Sequence, residues 1–189
     1  MLRPTLLGLA CTLGLAACQA PAPPPAAVGG PFQLVDQNGR AVSEQILEGQ
    51  WTAVFFGFTY CPDFCPRALQ ALRAAEGELG PRTADKLQVV FISVDPERDT
   101  PEALKAYVEN DAFPEGTIGL TGSPEQVQAA VKAYRAYAQK SGEGEDYLVD
   151  HSTAIYIMDP QGRFVRVLSS DQTPQQMAAQ IRDAMRGRA

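Results

Sequence analysis

The sequence has 189 residues, of which 45% are apolar and 20% are charged, a composition typical of one globular domain with a substantial core. Its formal net charge is −6, and it contains no run of lysines and arginines. Because phosphate binding depends on clustered Lys and Arg, we expect no nucleic-acid partner.

The N-terminus has the pattern of an export signal. Residues 1–3 carry a positive charge, and residues 6–17 are mostly apolar and end on small side chains. This apolar stretch is shorter than the roughly 20 residues that a membrane-spanning helix needs. The segment Leu15-Ala16-Ala17-Cys18 resembles the bacterial lipobox, in which the cysteine is acylated and becomes the mature N-terminus. The resemblance implies a lipoprotein signal peptide at residues 1–17 and lipidation of Cys18; an ordinary secretory signal is the alternative.

Residues 18–31 are rich in proline and alanine, which predicts an extended tether between the membrane and a domain at residues 32–187. The predicted location is therefore the bacterial cell envelope, with the domain exported, lipid-anchored and facing the periplasm or another extracytoplasmic space. The sequence does not decide which membrane carries the anchor, because residue 19 is Gln rather than the Asp that signals inner-membrane retention in some bacteria.

The first half of the domain predicts a hairpin followed by a strand-helix-strand unit. Residues 32–43 alternate apolar and polar side chains around Asn38-Gly39, which predicts a hairpin with a type I′ turn. Residues 52–59 and 87–94 are almost continuously apolar, as expected of strands buried on both faces. Leucines at helical spacing between these two strands predict the connecting helix.

Three later helices are predicted to begin at a hydroxyl residue followed by proline, because the hydroxyl caps the helix and proline suits its first turn. These pairs are Thr100-Pro101, Ser123-Pro124 and Thr173-Pro174, and the last two form capping boxes with Gln126 and Gln176. The second of these helices is predicted to span residues 123–138.

The remaining strands complete a recognisable order. Residues 153–158 and 163–168 are predicted strands on either side of a turn at 159–162, and residues 117–121 are a predicted extra strand. The elements then run strand, helix, strand, helix, insertion, strand, strand, helix. This order predicts an α/β domain with a thioredoxin-like fold, an N-terminal hairpin and a small strand-helix insertion.

Two cysteines follow the first central strand, where a parallel sheet leads into a helix N-terminus and ligand sites are common. If Cys11 leaves with the signal and Cys18 carries lipid, Cys61 and Cys65 are the domain's remaining thiols. Unpaired backbone N–H groups and the helix dipole stabilise thiolates, so we expect both pKa values to be lowered. Three residues separate the cysteines, whereas the thioredoxin redox motif has two. At this spacing the pair can bind a metal ion or form a redox disulfide.

His151 is the only histidine of the chain, and it lies just before the strand predicted at residues 153–158. In a thioredoxin arrangement the loop entering that strand faces the cysteines, so we expect the imidazole to lie near the thiols. Two thiolates and one imidazole suit copper as Cu(I) and Cu(II), although catalytic zinc sites use the same ligand types. Asp150 is predicted either to orient the imidazole or to cap the turn before the strand.

Three segments together resemble the Sco/SenC family of copper chaperones, in the family's order and spacing. They are FFGFTYCPDFCP at residues 55–66, SVDPERDTPEAL at 93–104 and VDHSTAIYIMDPQG at 149–162. The resemblance implies that Cys61, Cys65 and His151 are copper ligands. It also implies delivery of copper to the subunit of cytochrome c oxidase that carries the binuclear CuA centre.

The same resemblance suggests further partners, namely another periplasmic copper chaperone or a thiol reductant, with Arg98 and Asp99 helping to dock a partner. Two other functions stay open: a membrane-tethered thiol-disulfide oxidoreductase that keeps the CuA cysteines reduced, and a copper or redox sensor. Oxidoreductases of this fold have a cis-proline in the loop that faces the thiols, where this sequence has Asp150-His151. The histidine favours metal binding over thiol exchange, and metal delivery needs no catalytic residue. A purely structural disulfide would close too short a loop to stabilise the domain much.

Overall fold

A computed structural model describes residues 27–144 and 146–187 of the chain. The predicted signal peptide, the predicted lipidation site Cys18 and most of the predicted tether lie outside these residues. Within the described part of the chain, no helix is both long and apolar enough to cross a membrane. The end of the predicted tether contacts the domain, because the Gly29 N–H donates a hydrogen bond to the Ala133 carbonyl at 3.0 Å.

The strands of the described residues form one large mixed sheet and a separate hairpin. They are β1 (Gln33–Asp36), β2 (Ala41–Ser43), β3 (Trp51–Gly57), β4 (Leu87–Ser93), β5 (Ile118–Thr121), β6 (Ala138–Ser141), β7 (Leu148–His151), β8 (Ala154–Met158) and β9 (Phe164–Ser169). The large sheet has the order β2-β1-β5-β4-β3-β8-β9, and β6 pairs with β7 in the hairpin. β3, β4 and β5 are parallel, whereas β8 lies antiparallel to β3.

The middle of the sheet is apolar on both faces, which is why β3 and β4 lie there. Every residue of β3 from Thr52 to Gly57 is buried, and β4 is buried at all positions except Gln88. Because these strands run in parallel, their carboxyl ends meet at one edge of the sheet. The segments that follow the two strands are therefore neighbours in space, and this edge is where ligand sites form in parallel sheets.

The helices within the described residues are α1 (Phe64–Leu79), α2 (Pro81–Ala84), α3 (Pro101–Val108), α4 (Pro124–Ala133) and α5 (Pro174–Met185), and a 3-10 turn spans Glu44–Leu47. The predicted caps are confirmed, since Thr100, Ser123 and Thr173 each accept a backbone hydrogen bond and both capping boxes form. α1 and α5 lie side by side. The α/β fold with an N-terminal hairpin and an inserted strand and helix is confirmed.

The turn between β1 and β2 differs from the prediction. A type I′ turn needs a positive φ at both central residues, but of Asn38 and Gly39 only Gly39 has one, at 76°. The carboxylate of Asp36 explains the difference, because its Oδ1 accepts hydrogen bonds from the N–H groups of Asn38 and Arg40 at 2.9 Å each. These bonds stabilise a longer loop than the predicted two-residue turn.

The helix predicted at residues 123–138 is also too long, because α4 ends at Ala133. Arg135 has a φ of 52°, and the Ala136 N–H donates to the Val131 carbonyl at 2.9 Å. This helix-ending turn usually contains glycine, and no glycine marks it in the sequence. The chain after the turn forms β6 and then β7, a hairpin that was not predicted from the sequence.

Candidate metal centre

Cys61 and Cys65 lie where β3 leads into α1, as predicted. Cys61 is in the connecting loop and Cys65 is in the first turn of α1; we call residues 58–65 the cysteine loop. Cys65 is fully buried, Cys61 is 8% exposed, and both are free thiols. Gly57 leaves the space that Cys65 occupies, because a Cβ at position 57 would lie 2.7 Å from Cys65 Sγ.

The two thiols differ in acidity. A hydrogen bond from the Cys65 thiol lowers the pKa of Cys61 to about 5, although burial acts in the opposite direction. The backbone N–H of Cys65 also points at Cys61 Sγ, at an N to S distance of 3.4 Å. The shared hydrogen bond, together with burial, raises the pKa of Cys65. The prediction of two lowered pKa values is therefore wrong for Cys65, because adjacent buried sulfurs hold one proton between them rather than both ionising.

His151 is the last residue of β7, rather than a loop residue as predicted. We call residues 138–151 the histidine hairpin. The imidazole Nδ1 lies 2.8 Å from the Val149 carbonyl oxygen, and since a carbonyl only accepts, Nδ1 carries a proton, which makes Nε2 the nitrogen available to a metal ion. Nε2 lies 3.4 Å from Cys65 Sγ, and the ring stands edge-on to Phe58 with centroids 5.5 Å apart. The prediction that the imidazole lies near the thiols is confirmed.

The three side chains form a compact set of donor atoms. The two sulfurs and the imidazole nitrogen lie within 4.8 Å of one another, with the cysteines buried and His151 half-buried. Metal to sulfur distances of about 2.3 Å and metal to nitrogen distances of about 2.0 Å allow one ion between them to reach all three. A cavity of about 400 Å³ opens onto Cys61 and His151, so the centre is accessible from one side.

Other predicted residues lie apart from this donor set. Asp150 is exposed on β7. Asp99 is fully buried, and its carboxylate accepts hydrogen bonds from the hydroxyls of Thr59 and Ser93 at 2.6 Å each. Burial raises the pKa of Asp99. Docking of a partner by Asp99 is therefore contradicted, because no surface of this side chain is exposed; its role is inside the fold. Arg98 is mostly buried and donates to Asp95.

The groups that hold the donors in place become clear only in the folded structure. Gly57 and Phe58 belong to the motif at residues 55–66, but their roles depend on contacts with Cys65 and His151. The Val149 carbonyl that selects the imidazole tautomer has no signal in the sequence, because every residue has a carbonyl group.

Fold and site together define a thioredoxin-like domain with a dithiol-imidazole group suited to a metal ion. The family model described as SCO1/SenC matches residues 20–186, and the chain belongs to this family.

Known relatives extend from plants to bacteria. The mitochondrial SCO1 homolog 1 of Arabidopsis thaliana is 44% identical over 153 residues, which cover 80% of this chain and 45% of that protein. Copper-bound ScoI of Arabidopsis thaliana matches with a TM-score of 0.80 at 41% identity, covering 85% of this chain and 99% of that one. Copper-bound ScoI of Bradyrhizobium japonicum matches with a TM-score of 0.74 at 43% identity, covering 84% and 99%. The chain spans about half the length of the first curated relatives it matches.

Proposed function

We propose that this chain is a copper metallochaperone, which binds one copper ion through Cys61, Cys65 and His151 and delivers it to the CuA centre of cytochrome c oxidase. The observation that carries this function is the convergence of two sulfurs and one imidazole nitrogen within 4.8 Å. Family membership supports it, since two ScoI proteins of similar fold and about 40% identity were solved with copper bound.

The donor set suits both oxidation states of copper. Thiolate sulfurs favour Cu(I), and an imidazole nitrogen adds a donor that Cu(II) prefers. Cys61 is a thiolate near neutral pH, whereas Cys65 keeps its proton. Binding therefore requires the loss of the Cys65 proton, so copper affinity rises with pH across the neutral range.

An exposed apolar rim next to the centre supports transfer to another protein. Large side chains on this rim are exposed by about half: Tyr60 62%, Phe64 55%, Tyr137 53% and Leu148 48%. Phe64, Tyr137 and Leu148 line the cavity that opens onto Cys61 and His151. Exposed apolar clusters of this kind mark interaction surfaces. The CuA-bearing subunit docks on this rim, and its ligands replace the chaperone's sulfurs around the ion.

We further propose that Cys18 is acylated and that the domain works on the outer side of a bacterial membrane. The sequence at residues 15–18 supports the lipid anchor, and the proline-rich stretch after it supports a tether. In this location the chain receives copper from another chaperone, or electrons from a thiol reductant.

A second function, thiol-disulfide reduction, is favoured by the acidity of Cys61. A thiolate next to a buried, protonated thiol is the arrangement that attacks a disulfide and then resolves it. The Cys61 thiolate would attack a disulfide formed by the CuA cysteines, which forms a mixed disulfide and releases one recipient thiolate. Cys65 would then lose its proton and attack the Cys61 sulfur, which releases the second recipient thiolate. The recipient gains two thiols, and this chain is left with a disulfide between Cys61 and Cys65.

Copper titration of the reduced chain against competing chelators tests the metallochaperone function. We expect one site per chain, and a loss of more than about 100-fold in affinity for both oxidation states in Cys61→Ser and in Cys65→Ser. His151→Ala should weaken Cu(II) binding by about 100-fold and Cu(I) binding far less. Mixing the loaded chain with a purified apo CuA domain should then produce the CuA electron paramagnetic resonance spectrum.

Asp150→Ala, measured alongside, decides between the two roles predicted for Asp150; because its side chain is exposed, we expect its Cu(II) affinity to stay unchanged. Unchanged Cu(II) affinity in His151→Ala would contradict the three-ligand site. If no CuA signal formed, and His151→Ala still reduced a disulfide in the CuA domain, thiol reduction would replace copper delivery as the function.

A further inference from the structure

The histidine hairpin buries little surface of its own. In β6 only Ala138 is half-buried, and in β7 Val149 is buried whereas Leu148 and Asp150 are exposed. An isolated two-stranded hairpin is marginally stable at best in water. The position of His151 therefore depends on contacts between the hairpin and the rest of the domain.

Tyr147, the residue before β7, makes such contacts and is only 5% exposed. Its ring lies between two cations, since Arg98 Cζ and Lys140 Nζ are each 3.6 Å from the ring centroid. Its hydroxyl donates to Asp95 Oδ1 at 2.6 Å and lies 3.2 Å from Glu97 Oε2. Such cation-π contacts and charged hydrogen bonds are among the stronger polar interactions at a partly buried site. We call these five residues the Tyr147 cluster.

Arg98 connects the Tyr147 cluster to the cysteine loop. Its Nε donates to Asp95 Oδ2 at 2.5 Å. Its Cζ lies 4.7 Å from the ring centroid of Tyr60 and 5.9 Å from that of Phe58. Phe58 in turn contacts the imidazole of His151. The guanidinium group therefore lies between the ring of Tyr147 in the histidine hairpin and the rings of Tyr60 and Phe58 in the cysteine loop.

The segment that contains Arg98 also binds the cysteine loop through Asp99. The Asp99 carboxylate accepts a hydrogen bond from the Thr59 N–H at 3.1 Å and one from the Thr59 hydroxyl at 2.6 Å. Residues 95–99 thus contact both sides of the metal centre, although the donor set includes none of them.

We propose that the Tyr147 cluster is a positioning element, which fixes the distance between His151 Nε2 and the two sulfurs and thereby sets how strongly Cu(II) is retained relative to Cu(I). This role presupposes the copper site proposed above. Two sulfurs held by β3 and α1 are enough to retain Cu(I), whereas Cu(II) depends on the imidazole as well. Loosening the hairpin therefore weakens Cu(II) binding more than Cu(I) binding.

Hydrogen exchange on the metal-free, full-length chain tests the structural half of this role. Tyr147→Leu removes both the ring contacts and the hydroxyl, and Tyr147→Phe removes the hydroxyl alone. In Tyr147→Leu we expect amide exchange in β6 and β7 to accelerate by about tenfold, with a smaller effect in Tyr147→Phe. Exchange in β3 and β4 should stay as in the wild type.

Copper titration of the same variants tests the functional half. Tyr147→Leu should lower Cu(II) affinity by about tenfold and Cu(I) affinity by less than about twofold. In a His151→Ala background the same change should have no further effect on Cu(II), because the cluster acts through His151. Arg98→Ala should behave like Tyr147→Leu. Arg163→Ala is its matched control, since Arg163 Nε makes a similar contact with Asp159 Oδ2, at 2.8 Å, in the turn between β8 and β9.

Three results would overturn the positioning role: unchanged exchange in the hairpin, equal losses of Cu(I) and Cu(II), or an equal Cu(II) loss in the His151→Ala background. A wild-type chain that binds no copper would overturn the proposed function instead. The exchange measurement would then still decide whether the Tyr147 cluster holds the hairpin.

Discussion

The cysteine loop and the histidine hairpin bring ligands to one point, but they are held there by different means. The cysteine loop joins β3 to α1, and its buried sulfur, Cys65, is enclosed by the core. The histidine hairpin lies outside the seven-stranded sheet, and most of its side chains face solvent. The cysteines are thus held by the core of the domain, whereas His151 is carried by a hairpin outside the main sheet.

In the proposed copper site, this difference separates the two oxidation states of the metal. A dithiol that is preformed by the core offers Cu(I) its ligands whether or not the hairpin is well placed. The imidazole, which Cu(II) needs, depends on local contacts around Tyr147 and Ser152. In the proposed positioning role, the hairpin changes the preference between Cu(I) and Cu(II) without disturbing the thiols.

The largest expected effect is on the reactivity of the two thiols. It tests whether the cysteine loop is preformed independently of the hairpin. In the metal-free chain, alkylation of Cys61 should reach a plateau above about pH 6 and fall as the pH drops through about 5, because its thiolate becomes protonated there. Cys65, buried and protonated, should react at least about 100-fold more slowly at pH 7. Peptide mass spectrometry after labelling measures both rates.

His151→Ala is the control for this prediction, because the charge of His151 is the weakest of the named influences on the pKa of Cys61. It should leave the profile almost unchanged. Equal labelling of the two cysteines, or a midpoint above pH 8, would mean that the thiols are not preformed.

Gly57→Ala should damage the cysteine side through packing. The added Cβ would lie 2.7 Å from both Cys65 Sγ and Phe91 Cε2, so a sulfur or a buried ring must move. We expect a loss of about 1–3 kcal/mol in the free energy of unfolding, together with weaker binding of Cu(I). Chemical denaturation and copper titration measure the two effects.

Gly77→Ala provides a contrast on α1, because a Cβ at position 77 meets no atom within 4 Å. An exposed glycine inside a helix is less favourable than alanine, so this variant should gain up to about 1 kcal/mol. Equal stability changes at positions 57 and 77 would contradict the tight approach at Gly57.

Ser152→Ala should affect the histidine side by a smaller amount. The Ser152 hydroxyl accepts a hydrogen bond from the Tyr137 N–H at 2.8 Å, which closes the base of the hairpin next to His151. Its loss, about 1 kcal/mol, should lower Cu(II) affinity by a few-fold and leave Cu(I) affinity unchanged. Ser141→Ala, at the exposed far end of β6, should change neither. A larger effect on Cu(I) than on Cu(II) would break the division between the two sides.

Much of the fold could be predicted because local rules decide it. Continuous apolar stretches at residues 52–59 and 87–94 place two strands in the centre of the sheet. Hydroxyl-proline pairs such as Ser123-Pro124 mark helix starts, since capping involves only neighbouring residues. The predicted end of α4 was wrong because the helix ends in a turn where Arg135 has a backbone conformation typical of glycine. The residue type does not reveal this conformation.

The residues of the candidate site could be predicted from the sequence, but the difference in pKa between the two cysteines could not. His151 stood out because the chain has one histidine, and the topology brings it to the cysteines. The raised pKa of Cys65 was not predictable from the helix N-terminus alone. It depends on how close the Cys61 sulfur lies and how completely both are buried, and such distances arise only after folding.

The sequence by itself therefore determined the central strands, the helix starts and the identity of the three candidate ligands, since each depends on residue type and local spacing. Tertiary structure alone decided which sulfur keeps the proton, that His151 ends a strand, and that residues 95–99 join the hairpin to the cysteine loop. These features depend on contacts between segments far apart in the chain. Tyr147 and Asp95 meet at 2.6 Å, and neither residue carries a local signal of the other.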